Sequence, residues 1–199
     1  MELKDIVRVN WMYRAFYPYI ARQILDEYGH TSGQALEMGP YAPGISVALL
    51  ESAPDLEITI GDNTPNLHSH FKDYLDQAGV LEKVHLDEAN VEALPYKDES
   101  FNLVYFRGAL FFVWDPVKLL REGHRVLKPG GVAFIGGGFG ATAPNEEIDQ
   151  IAEEARELNR KLGKKVVTYE EAETFIREAG VSEKSQLDKR HGLWVVIRK

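Results

Sequence analysis

From Ala35 to Gly44 the chain reads Ala-Leu-Glu-Met-Gly-Pro-Tyr-Ala-Pro-Gly, and it continues Ile-Ser-Val-Ala-Leu-Leu through Leu50. A short apolar strand ends here in an acidic residue, breaks at a Gly/Pro turn and re-enters as a helix. Glycine carries no Cβ and accepts positive φ, so such a turn lets the backbone approach a nucleotide-like ligand closely. The same pattern also serves as a plain structural turn in α/β proteins, and this stretch alone leaves both readings open.

The residues that follow have the matching spacing. Leu56-Glu57-Ile58-Thr59-Ile60 reads as a second strand and ends in Gly61-Asp62. An acidic residue about twenty positions beyond a glycine turn is the usual partner of ribose hydroxyls, and a carboxylate accepts two hydrogen bonds from a vicinal diol. Apolar spacing then predicts a helix over 66–78, a strand over 83–86, a strand over 101–106 and a helix over 116–126 closed by the Pro129-Gly130-Gly131 turn. A strand over 132–135 follows, with Gly136-Gly137-Gly138-Phe139-Gly140 after it as a close backbone approach or a loose connection.

At the two ends the pattern changes. Ile6, Val9, Met12, Tyr13, Phe16, Ile20 and Ile24 recur at helical spacing, with Pro18 dividing the stretch into two helices. Residues 145–162 predict a helix with Glu146 and Glu147 in its first turn and Arg160 and Lys161 in its last, as the helix dipole favours. Thr168-Tyr169-Glu170-Glu171 resembles a capping box opening a helix to Ala179. Residues 182–187 and 193–198 then predict two antiparallel strands. Right-handed crossovers would bring the loops after the first four strands to one sheet edge, where a ligand belongs.

The run Leu94-Pro-Tyr-Lys-Asp-Glu-Ser-Phe-Asn-Leu-Val-Tyr-Phe106, with Leu119-Leu-Arg-Glu-Gly-His-Arg-Val-Leu-Lys-Pro-Gly-Gly-Val-Ala-Phe-Ile135, resembles class I S-adenosylmethionine-dependent methyltransferases, and the likeness covers residues 32–140. The resemblance implies a Rossmann-like α/β fold: a doubly wound, mostly parallel seven-stranded sheet with an antiparallel C-terminal hairpin and N-terminal helices. It implies a single domain over 1–199, with a helical cap (1–31), a cofactor-binding core (32–140) and C-terminal helices and hairpin (141–199). Fold membership alone does not fix activity, because function resides in the site.

The resemblance also assigns roles. Glu37 would close the first strand and orient the turn, with Gly39, Pro40, Tyr41 and Gly44 facing the methionine part of S-adenosyl-L-methionine. Asp62 would take the ribose hydroxyls, and Asn63, Asn90 and Val91 would lie about the adenine. Arg107 would stand near the methionine tail or the acceptor, with pairing to Asp115 as its plainer alternative. Tyr13, Phe111, Phe112, Trp114 and Phe139 would line the acceptor pocket. Two positions depart from the family pattern: Tyr41 stands where a second glycine is usual, in a turn one residue longer, and polar Asn63 stands where an apolar residue is common.

Composition narrows the function classes. The 199 residues carry 44% hydrophobic side chains, a net charge of −8 and no cysteine. Cysteine-free chains build no disulfide, thiolate zinc site or covalent cysteine mechanism. An acidic chain argues against a nucleic-acid partner, and Arg160-Lys161 with Lys164-Lys165 read as cations at a helix C-terminus. No apolar run reaches a membrane span of roughly 20 residues, and Met1 to Asp5 lacks the order of a signal peptide. These point to a cytoplasmic protein without a membrane partner. His68 and His70 are candidate bases by residue type, with solvated helix positions as the alternative, and no His/Asp/Glu set has metal-ligand spacing. The expected activity is methyl transfer to a small-molecule acceptor. The alternatives are an adenosyl- or small-molecule-binding relative that methylates nothing, and a structural partner subunit.

Overall fold

The computed structural model describes residues 3–64 and 66–199. Met1 and Glu2 of the N-terminal stretch, and Pro65 in the segment after Asp62, lie outside the described residues. The chain begins with α1 (Leu3–Tyr13) and α2 (Tyr17–Tyr28), separated by a single 3-10 turn. Pro18 sits in the first turn of α2, where its missing N–H costs nothing. β1 (Ser32–Met38), α3 (Gly44–Ser52), β2 (Asp55–Gly61), α4 (Leu67–Gln77), β3 (Val84–Asp87) and β4 (Phe101–Arg107) then alternate as expected. After them come the short α5 (Ala109–Phe112), α6 (Pro116–Val126), β5 (Leu127–Gly138), α7 (Asn145–Lys161), α8 (Tyr169–Ala179), β6 (Ser185–Asp188) and β7 (Gly192–Arg198).

One sheet runs in the order β3-β2-β1-β4-β5-β7-β6. β1 to β5 pair in parallel, and β7 runs antiparallel between β5 and β6. The strand order reverses between β1 and β4. That switch point opens a crevice at the carboxyl ends of the strands, where α/β folds bind ligands.

Strand periodicity sorts the core into two layers. Ala35, Leu103, Tyr105, Phe134, Trp194 and Val196 face α1 to α4 and α7. Their neighbours Leu36, Val104, Phe106, Ala133, Ile135 and Val195 face α6 and α8. Successive strand residues point to opposite faces, so near-continuous apolar strands are what a sheet covered on both sides requires. Within this frame Arg125 ties down the most family-like stretch. Its guanidinium pairs with Glu122 and Asp98 and donates to the Leu94 and Tyr96 carbonyls.

Two expectations need correction. Residues 128–131 do not form a separate turn: α6 passes directly into β5, and the chain bulges there, Phe101 facing Leu127 and Leu103 facing Val132. The glycines at 136–138 are not a connection after the strand either, because they pair within β5 against β7. A Cβ on Gly136 would stand 2.1 Å from the Leu193 carbonyl oxygen, and one on Gly138 would stand 2.4 Å from that of His191. Close backbone approach explains the run. The capping box is present: Thr168 Oγ1 accepts from the Glu171 N–H, and the Glu171 carboxylate accepts from that of Thr168.

Candidate active site

The carboxyl edge of the sheet divides at β1 and β4. On the β1–β2 side, Glu37 projects beneath the turn and is 1% exposed. Ser46 Oγ, from α3, donates to its carboxyl and lies 2.7 Å from the Tyr105 hydroxyl on β4. Burial raises the Glu37 carboxyl to about 8, against the opposing hydrogen bond from Ser46. Glu37 therefore fastens the turn from below. The turn's first residue is tied to β2, with the Gly39 N–H bonded to the Gly61 carbonyl at 2.8 Å. Gly44 opens α3 against the Tyr17 ring: an added Cβ would lie 2.2 Å from it, so this approach of α2 requires glycine.

Asp62 directly follows β2 and is 5% exposed. One carboxylate oxygen accepts from the Thr64 N–H at 2.7 Å, and the His68 ring contacts its backbone carbonyl. Burial pushes the carboxyl above its usual range, and among the described residues no Lys or Arg pairs with it. Asn63 and Asn90 are exposed. The Asn90 side-chain oxygen already accepts from the Glu92 N–H at 2.9 Å. Val91 is half-buried and packs beside Gly39.

On the β4–β5–β7 side lies a cavity of about 490 Å³. Tyr13, Tyr41, Arg107, Phe111, Phe112 and Phe139 are among its walls, joined by residues of α7 and of the loop ahead of β7. Asp62, Asn63 and Asn90 do not line it. Trp114, expected among the acceptor residues, does not line it either and is 88% exposed. Arg107 is not paired with Asp115, which caps α6 through the Lys118 N–H. Its guanidinium instead stacks 3.9 Å from the Tyr13 ring centroid and donates from Nε to the Gly138 carbonyl.

Tyr41 joins the two sides. Its ring meets Phe112 edge-on at 5.5 Å and is a wall both of the large cavity and of a small one, about 20 Å³, bordered by Glu37 and Arg107. Burial, and then the nearby Asp62 charge, raise its hydroxyl above the ordinary tyrosine range.

The family model described as "Methyltransferase domain" matches residues 36–135, which span the turn, Asp62 and the end of β4. The chain belongs to the methyltransferase-domain family. A related 27-O-demethylrifamycin SV methyltransferase of Amycolatopsis mediterranei is 31% identical over 112 residues, 56% of this chain and 40% of that protein. The ubiquinone/menaquinone biosynthesis C-methyltransferase of Vibrio vulnificus is 42% identical over 64 residues, 32% of this chain and 25% of its own length. The chain thus spans less than half of either curated relative. A Methanococcus maripaludis protein provisionally assigned as an S-adenosyl-L-methionine-dependent methyltransferase has the same fold in its crystal structure, with a TM-score of 0.82 and 26% identity. The match covers 99% of this chain and 91% of that one.

The donor set suits the cofactor of this family. The Asp62 carboxylate has no Lys or Arg partner among the described residues, and it stands just after β2 beside the fastened turn. A vicinal diol needs an acceptor of that kind. Several groups at the edge were not expected from the sequence, among them Arg156, Lys164 and His191. Lys164, beyond the end of α7, lines the cavity, as does His191, whose Nδ1 is buried with no hydrogen-bond partner among the described residues. The sequence had shown Lys164 only as part of a basic cluster. What brings it to the cavity is long-range pairing of the neighbouring Lys165 N–H with the Phe111 carbonyl at 2.9 Å.

Proposed function

We propose that this methyltransferase-domain protein transfers the methyl group of S-adenosyl-L-methionine to a small-molecule acceptor held in the β4–β5–β7 cavity. The observation that carries this reading is the adjacency of two unlike subsites. Asp62 and the fastened turn stand on one side of Tyr41, and a cavity large enough for a small organic molecule adjoins on the other. Bound S-adenosylmethionine supplies an electrophilic methyl on sulfonium sulfur. Asp62 would accept hydrogen bonds from the ribose, and the turn from Gly39 to Gly44 would orient the methionine part. Arg107 and Tyr41 stand where the two subsites meet, and the aromatic walls exclude water. Positioning of this kind supplies much of the acceleration of a displacement. His68 is engaged with the Asp62 backbone and lies off the cavity lining, so it is not assigned the role of base.

A second reading, a fold relative that binds a small molecule without methylating it, draws on Tyr41, whose bulk stands where the turn backbone must approach the cofactor. Calorimetric titration with S-adenosylmethionine and S-adenosylhomocysteine, followed by an assay for conversion of the first to the second in the presence of acceptor, separates the two. Micromolar binding that Asp62→Ala abolishes, together with conversion, supports methyl transfer, and binding without conversion, or of neither ligand, leaves the second reading.

A further inference from the structure

The cavity is cationic in an acidic protein. Arg107, Arg156 and Lys164 line it and, among the described residues, no Asp or Glu does, although the chain carries a net charge of −8. Among the described residues Arg107 commits only Nε to a protein acceptor, the Gly138 carbonyl at 3.2 Å. Lys164 holds its ammonium 4.4 Å from the Phe111 ring centroid. Neither forms an ion pair with a described carboxylate, whereas Lys161, Arg125 and Arg190 each do. Lys164 as a residue is exposed, with its ammonium against the Phe111 ring. Even so, packing about the ammonium, and then repulsion from Arg107, lower its pKa. Two cations brought together without a counterion are a cost that a bound anion relieves. A guanidinium with free donors matches carboxylate and phosphate oxygens in a two-pronged geometry. Phe112, Phe139, Ile148 and Leu162 also line the cavity and give it apolar surface.

We infer that the acceptor is an apolar molecule bearing a carboxylate or phosphate group, its body held among the aromatic walls and its anion held by Arg107 and Lys164. This deepens the methyl-transfer reading and rests on it for the word acceptor; the anion selectivity of the cavity stands by itself. On this view Lys164 is a specificity-determining residue. Its charge is supplied from outside the matched family segment, which ends at residue 135.

The test uses three probes of one shape, 2-naphthoate, 2-naphthyl phosphate and neutral 2-naphthalenemethanol, each titrated calorimetrically into the full chain with and without S-adenosylhomocysteine. The anions should bind on the order of tenfold or more tighter than the alcohol. Lys164→Gln and Arg107→Gln should each shrink that gap, and the pair together should close it. Whichever anion binds tighter supports the inference and identifies the headgroup. Four results overturn it: the alcohol binding as tightly as the anions, none of the three binding, a gap that survives the double variant, or Lys164→Gln weakening S-adenosylhomocysteine as much as the anions. The last would assign the cation to the cofactor. If S-adenosylhomocysteine fails to bind while naphthoate binds as expected, methyl transfer falls and an anion-selective cavity remains.

Discussion

The two halves of the sheet edge satisfy their polar groups in opposite ways. On the β1–β2 side Glu37 is taken up by Ser46, Asp62 by the Thr64 N–H and Asn90 by the Glu92 N–H, every partner but Ser46 within two residues along the chain. On the β4–β5–β7 side Arg107 and Lys164 rest on aromatic rings, His191 keeps a buried nitrogen unpartnered among the described residues, and an open cavity lies between them. The side-chain hydrogen bonds of Asp62 and Asn90 are made to near neighbours along the chain. The other half is assembled from distant segments, and its charges await a partner.

The contrast can be broken most severely in β5, at the residue before the cavity-lining Gly137 and Gly138. Gly136→Val should leave no stably folded protein, because the added carbons would meet the Leu193 backbone rather than a movable side chain. Overpacking ordinarily costs about 1–3 kcal/mol, and a backbone obstacle exceeds that range. Circular dichroism and urea unfolding would show it, and a cooperative transition of unchanged midpoint would mean that β5 and β7 pair less closely than described.

The next effect is a pH dependence on the opposite half. Glu37 is raised from 4.5 to about 8, so the folded state holds a proton that the unfolded chain releases above pH 4.5. Stability should therefore fall as pH rises from about 4.5 towards 8, by an amount on the order of a few kcal/mol. Glu37→Gln keeps the shape and an acceptor for Ser46 but cannot ionise. Its urea midpoint should vary less between pH 5 and pH 8 than that of the unaltered protein, and equal pH slopes would show that Glu37 is not held neutral.

A smaller effect sharpens the ligand assignment. Asp62→Asn should weaken S-adenosylhomocysteine by roughly 1.5–3 kcal/mol, the worth of hydrogen bonds to a charged group, with little change in unfolding midpoint. Calorimetry on both proteins checks it, and unaltered affinity would remove Asp62 from the site. The smallest effect is at Trp114. With 88% of the residue in solvent, Trp114→Ala should change stability by no more than about 0.5 kcal/mol and leave naphthoate affinity as it was. A tenfold loss of affinity would place the ring over the cavity after all.

The sequence by itself determined what depends on local chemistry and periodicity. Alternating strands and helices, the turn after β1, Asp62 just after β2 and the Thr168/Glu171 capping box all follow from residues close together in the chain, and all lie where expected. The glycine run at 136–138 shows the limit. Glycine announces close approach or freedom alike, and only the antiparallel fit of β7 decided that backbone was the neighbour. The aromatic loop shows it again, since Phe111 is buried on the cavity while Trp114, three residues on, stands in solvent. Lys164 carried no signal of its own, because its environment is made by Phe111 and Arg107, more than fifty residues away in the chain. Tertiary structure alone decided which charges face one another without a counterion, because the pairing of charges depends on distances across the fold, and periodicity along the chain does not encode them.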